Sequence, residues 1–254
     1  MGLDTCLKEM REMIVAGPKQ AIRSQSFIKR LHHEIAEELR CRLSKSAVRN
    51  GVEVVEEVLV YGSHKNKDVD IGVVHPTAGP LMLVGVRSQM SSIGKNALTY
   101  YQDIVGECIS LQDRYPLSTF GYVYLHPWTS VISSSDGTVF DSFDGPELDA
   151  LRWAKMYDAI SGRTGRDFGT VKGVYDEFAY LVVDFRPESP VLMDDLIRDH
   201  VELDLSIRTF VNRLVRTFNR RTIWMDVFND PDLVVPASPA GGGSPDGSSQ
   251  DPVE

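Results

Sequence analysis

Apolar residues recur every four positions at Phe27, Leu31, Ile35, Leu39 and Leu43, which predicts a helix over 27–48 with one buried stripe. Glu34 and Glu38 lie four apart on a neighbouring face. Residues 1–24 read as helical around a break at Gly17-Pro18, and Ser24 or Ser26 is placed to cap the helix that follows. After the turn signal Asn50-Gly51, VEVVEEVLVYGS, DVDIGVV and LMLVGVRS read as three strands separated by HKNK and PTAGP. Alternation along the second strand puts Asp68, Asp70 and Gly72 on one face and Val69, Ile71 and Val73 on the other. The third strand is apolar almost throughout, the pattern of a central strand covered on both faces.

Residues 91–115 then predict a helix closed by Pro116, with Ser91 or Ser92 as its cap and Leu98, Tyr101, Ile104, Val105, Cys108 and Leu111 as its apolar face. STFGYVYLHP is a fourth strand. The order over 24–127 is helix, three strands, helix, strand. A polar insertion leads to a C-terminal extension over 146–228: a helix with Pro146 near its first turn, a strand FAYLVVDFRP, and one long or two abutting helices ending near Trp224. The expectation is one α/β domain over 1–235, followed by a Pro-, Gly- and Ser-rich segment, 236–254, that is expected to be disordered.

Composition changes this picture in two places. The net charge of −9 opposes a protein that coats nucleic acid by electrostatics alone. The charge is uneven, however: Arg208, Arg213, Arg216, Arg220 and Arg221 fall between Ser206 and Trp224 without an acid among them. Helical spacing puts Arg213, Arg216 and Arg220 on one side, a candidate nucleic-acid face or a plain solvated one. Cys6, Cys41 and Cys108 have no metal-like spacing and fit free thiols in a reducing cytoplasm. No apolar run is long enough for a membrane span, so no membrane partner is expected. His32, His33, His64, His75 and His126 show no ligand spacing and read as surface or packing residues.

The candidate chemistry gathers between Val58 and Gln89. Asp68 and Asp70 enter a buried strand, where an unpaired acid is costly, so a divalent metal is the functional reading and Asp70 its foremost ligand; a strand-start turn is the alternative. Arg87 is placed to grip a phosphate, or to pair with Asp70 across adjacent strands, and Gln89 shares its strand face. The small-residue stretch from Ser91 to Asn96, with Lys95, would take an anion or merely cap its helix. Gly62-Ser63 ahead of Asp68-Val69-Asp70 is also similar to the nucleotidyltransferase pattern, with a shorter insert than that pattern carries.

The element order, with Lys67-Asp68-Val69-Asp70, Gly79-Pro80, Val86-Arg87-Ser88-Gln89 and Lys95-Asn96, resembles the PD-(D/E)XK restriction-endonuclease-like superfamily over roughly 24–127. The resemblance implies an αβββαβ core with a central mixed sheet flanked by helices. It implies a Mg²⁺-dependent DNA endonuclease, with Asp70 and Asp68 at the metal and Arg87 and Gln89 as catalytic groups. Lys67, Lys95, Arg213, Arg216 and Arg220 are the expected DNA contacts, and a homodimer is left open. The chain departs from the family at two positions: glycine (Gly85) stands where the second acid belongs and Arg87 where the lysine belongs. Glu38 or Glu34 from the first core helix, Glu57, Glu107 or the amide of Gln89 would have to replace the lost ligand. The alternatives are a catalytically silent DNA-binding or assembly module on the same fold and, third, a nucleotidyltransferase.

Overall fold

The computed structural model describes residues 2–24, 26–91, 93–129, 131 and 149–230. The predicted polar insertion (apart from Val131), Pro146 and the tail 236–254 lie outside the described residues. The chain opens with α1 (Leu3–Ala16) and α2 (Pro18–Ser24), parted at Gly17 as the Gly-Pro break predicts. α3 (Ile28–Arg42) follows, then the short α4 (Lys45–Arg49). The single long helix expected over 27–48 is therefore two. Ser44 ends the first and caps the second, its Oγ accepting from Ala47 N at 2.9 Å, while its own N–H turns to Val227 O. No serine caps α3; Phe27 holds that position without a side-chain bond.

β1 (Glu53–Tyr61), β2 (Asn66–His75) and β3 (Gly79–Ser88) form an antiparallel meander. α5 (Ile93–Arg114) crosses over to β4 (Thr119–Pro127), which runs parallel to β3. After α6 (Ala150–Ala159), β5 (Glu177–Asp184) adds parallel to β4, and β6 (Val191–Leu192) pairs antiparallel with β5. α7 (Asp194–Arg198) and α8 (Ile207–Arg221) complete the fold, so the predicted C-terminal helical run is two helices. Ser206 starts α8 by accepting from Arg208 N. The result is an α/β architecture, one six-stranded mixed sheet in the order β1-β2-β3-β4-β5-β6, flanked by helices.

Burial follows directly from the strand sequences. On one face Ile71, Val73, Met82, Val84, Val123, Leu125 and Leu181 pack under α1, α3 and α8 through Leu7, Met10, Leu31, Ile35, Phe210 and Leu214. On the other, Leu83, Phe120, Tyr122, Tyr124, Phe178 and Tyr180 pack under α5 and α6 through Ile104, Cys108, Trp153 and Tyr157. β3 and β4 supply both cores, which is why their sequences are apolar at successive positions. α8 has the sharpest division of faces, with Ile207, Phe210, Val211, Leu214, Val215 and Phe218 all buried. Leu98, assigned above to the buried face of α5, is exposed. No described helix is long and apolar enough to cross a membrane.

Candidate functional site

β1 and β2 both change face at one point. Val69 belongs to the core under α5, whereas Ile71 and Val73, of the same parity, belong to the core under α3. The simple alternation expected for Asp68, Asp70 and Gly72 is therefore interrupted at Asp70. Its position opposite Asp70 in the β1/β2 register, between Glu56↔Ile71 and Val58↔Val69, is Glu57. Glu57 has φ +54°, the only positive φ on a non-glycine residue among the described residues. A long side chain in that region stores of the order of 1–3 kcal/mol, and such strain tends to mark functional positions.

β2 and β3 are paired from His75↔Gly79 to Ile71↔Val84. At the next residue Asp70 inserts its carboxylate, and Oδ2 accepts from Val86 N at 2.7 Å. The second oxygen, Oδ1, lies 3.9 Å from His32 Nε2 on α3. That spacing is too long for a hydrogen bond. His32 is 95% buried (5% exposed), yet its Nε2 has no hydrogen-bond partner. Burial depresses the pKa of His32, and Asp70, Glu56 and Glu57 oppose that shift. A neutral imidazole nitrogen and a carboxylate oxygen thus face each other across a gap that bonds of about 2.1 Å from one cation would bridge. From the sequence His32 reads as a surface or packing residue. The available signal was its place in the row Ile28, His32, Ala36, four apart on the buried side of α3.

The other sequence-predicted residues do not join this pair. Arg87 projects under α5, its guanidinium 4.8 Å from the ring centroid of Tyr100. Burial disfavours its charge, but Tyr122, Tyr124, Glu107 and Asp103 outweigh burial and raise its pKa. Lys67 pairs with Glu107 at 2.8 Å. Gln89 is buried, its Nε2 donating to Ile93 O and its Oε1 accepting from Tyr124 Oη, both at 3.2 Å. Asp68 is exposed and stands opposite Leu59. Glu38 turns elsewhere: with Leu3, Glu34, Ile207 and Arg208 it borders a cavity of about 180 Å³ between α1, α3 and α8. Burial raises its pKa, and Arg42 lies 3.5 Å away.

Arg213 is directed inward, bonding Glu177 Oε2 at 2.9 Å and Phe178 O at 2.8 Å and pairing with Asp204 at 3.1 Å. Arg216 and Arg220 are exposed on the same helix. Lys95 falls on α5, its side chain outside the described part. Gly62-Ser63 closes the β1/β2 turn, where Ser63 N and Oγ both donate to Ser110 O of α5 at 3.0 and 3.1 Å. That serine therefore holds the β1/β2 turn against α5.

Gly85, where the resemblance leads us to expect an acid, has a packing cause for being glycine. A Cβ on Gly85 would stand 2.5 Å from Tyr122 Cε2 and 2.7 Å from Cδ2. The Tyr122 ring is itself held against Tyr175 and Phe178, with centroids 5.1 and 5.5 Å away. Gly85→Ala should lower stability by about 1–3 kcal/mol through overpacking, read as a fall in the denaturation midpoint. An unchanged midpoint would show the ring free to move and the position open to an acid.

Among the described residues, no three His, Cys, Asp or Glu side chains stand together as a ready metal site. The most voluminous of the described cavities, about 710 Å³, lies elsewhere, between Tyr180, α7 and α8. No protein-family model, curated protein or solved structure matches this chain.

Proposed function

We propose that this protein acts on phosphodiesters as a divalent-cation-dependent nuclease built on a restriction-endonuclease-like framework. The observation that carries the reading is the Asp70–His32 pair, a carboxylate oxygen and an orphaned buried imidazole nitrogen 3.9 Å apart at the point where β2 and β3 separate. The order α3, α4, β1, β2, β3, α5, β4, in which only the one-turn α4 is extra to the expected core, with β4 parallel to β3, supports the framework. The donor set suits a cation that accepts nitrogen, such as Mn²⁺ or Zn²⁺, better than Mg²⁺, which favours oxygen alone. A cation there would polarise a phosphoryl oxygen and acidify bound water. Asp70 is oriented for this by Val86 N–H, which fixes one oxygen and leaves the other turned to His32. The Asp70 side chain is 29% exposed, so a substrate approaches from that side.

The test is cleavage of supercoiled, linear and single-stranded DNA with Mn²⁺ or Mg²⁺. Asp70→Asn and His32→Gln should each reduce the rate by about 100-fold or more, the effect of losing a group that holds the metal. Cleavage that survives Asp70→Asn removes the site assignment, and a folded wild type that cuts none of these substrates removes the activity.

A second reading has its own observation. The Tyr122 ring fills the space beside Gly85, and Arg87 faces Tyr100 rather than Asp70. On this reading the domain binds DNA without cutting it. Binding would then fall steeply with salt, carried by exposed groups such as Arg216 and Arg220.

A further inference from the structure

We infer that Glu57 is the third ligand of the cation site at Asp70 and His32, and that Lys29 occupies its carboxylate until a cation displaces it. This rests on the cation reading of that pair, and it adds a displaceable internal counter-ion. The first ground is position: Glu57 lies opposite Asp70 in the β1/β2 register, where both strands change face. The second is backbone conformation: φ +54° at Glu57 coincides with the point where β1 changes face, and its side chain is exposed there, paired with Lys29 of α3. The third is the neighbourhood of the orphaned His32 nitrogen. The charges acting on His32 are those of Asp70, Glu56, Glu57 and Lys29, three acids and one base around a buried imidazole.

Lys29 Nζ pairs with Glu57 Oε1, and both side chains are more than half exposed. A pair so open to solvent is held weakly and exchanges readily. The neighbouring acid is less available: Glu56 Oε1 accepts from Arg40 at 3.1 Å and lies 3.2 Å from His33 Nδ1. A divalent cation bridging Asp70 Oδ1 and His32 Nε2 would present the stronger charge to Glu57. The carboxylate would then exchange the Lys29 ammonium for the cation, and the ammonium would pass to water. No proton moves and no bond is made beyond coordination.

The experiment is Mn²⁺ titration of the full chain, following loss of the free Mn²⁺ electron paramagnetic resonance signal, which needs no turnover. Wild type, Glu57→Gln, Lys29→Met and the double variant are compared, with Asp70→Asn and His32→Gln alongside. Glu57→Gln should weaken binding about tenfold or more. Lys29→Met should tighten it about threefold, and that gain should vanish in the Glu57→Gln background, because the two residues act on one carboxylate. A Lys29→Met gain that persists without Glu57 is general electrostatics and overturns the exchange. Unchanged affinity in both single variants, with Asp70→Asn and His32→Gln still weakening binding, overturns Glu57 as a ligand while the Asp70–His32 pair stands. A wild type that binds no Mn²⁺ removes both. Because Glu57 and Lys29 are exposed, the substitutions should fold, and circular dichroism of each variant checks this.

Discussion

Asp176→Ala should be the most damaging single substitution in this protein, costing at least about 3–5 kcal/mol and leaving little folded chain at 37 °C. Asp176 is fully buried, just ahead of β5, and both of its oxygens are committed. Oδ2 accepts from Phe120 N at 2.8 Å and Arg221 Nη1 at 3.1 Å, and Oδ1 from Thr164 Oγ1 at 3.1 Å and from Arg221 Nη2. Arg163, 1% exposed, stands 3.9 Å from the same carboxylate, and burial holds its pKa below the usual arginine value with Asp176 countering. One carboxylate therefore compensates two guanidinium side chains that are only 1% and 3% exposed, and it ties α8, the turn at 163–165 and the start of β4 together. Removing it strands both cations, and the penalty is that of uncompensated buried charge rather than of one lost bond. Asp176→Asn keeps one acceptor oxygen, enough for Phe120 N–H but not for Thr164 Oγ1 as well, and should cost less than the alanine. Pairing it with Arg221→Met should recover part of the loss. Urea denaturation of the purified variants measures all three, and equal midpoints for Asp176→Ala and wild type would refute the account.

That network also explains why the candidate surface was misread in part. Arg213 and Arg221 lie in a run of arginines without acids, and local sequence reads such a run as a basic face. Two of their partners, Glu177 and Asp176, sit far upstream and only the fold brings them together, while Asp204 lies just ahead of the run. The elements themselves were legible, because period-two and period-four apolar patterns are local. The Gly17-Pro18 break, the strands from β1 to β5 and the helix α5 follow from those patterns and from turn residues. The interruption at Ser44 was not legible, since its N–H is drawn off by Val227 at the far end of the chain. The site was half legible. Asp70 announces itself as an acid in a strand, but the change of strand face that sets it beside His32 depends on the backbone at Glu57, and no periodicity encodes that. Gly85 looked like a missing acid; next to Tyr122 it is a glycine that packing demands.

His126 should make the fold acid-sensitive well above the carboxylate range. It is fully buried on β4, its Nδ1 2.9 Å from Tyr180 Oη and its Nε2 without a hydrogen-bond partner. Tyr124, Trp153 and Tyr180 enclose the ring edge-on, with centroids 4.9, 5.8 and 5.6 Å away. Burial among these rings lowers its pKa from 6.5 to about 3. The unfolded chain takes a proton near pH 6.5, and the folded chain refuses it until near pH 3, so across that window the unfolded state binds more protons. The contribution is therefore complete above pH 6.5 and is lost progressively as pH falls, at up to about 1.4 kcal/mol per pH unit. His126→Phe separates this from every other titration. At pH 7.5 the phenylalanine keeps the aromatic packing but leaves the Tyr180 hydroxyl without its partner, a cost of about 1–3 kcal/mol. At pH 4.5 the wild type has lost about 3 kcal/mol that the variant never had to lose. The two stability curves should therefore converge or cross between those pH values. Glu177 and Asp194, whose pKa values burial raises, titrate alike in both chains and cancel from the difference. Urea midpoints at pH 7.5 and 4.5 decide the matter: a difference between variant and wild type that is the same at both pH values would mean that His126 is charged in the fold, or that the site takes up water when it becomes so.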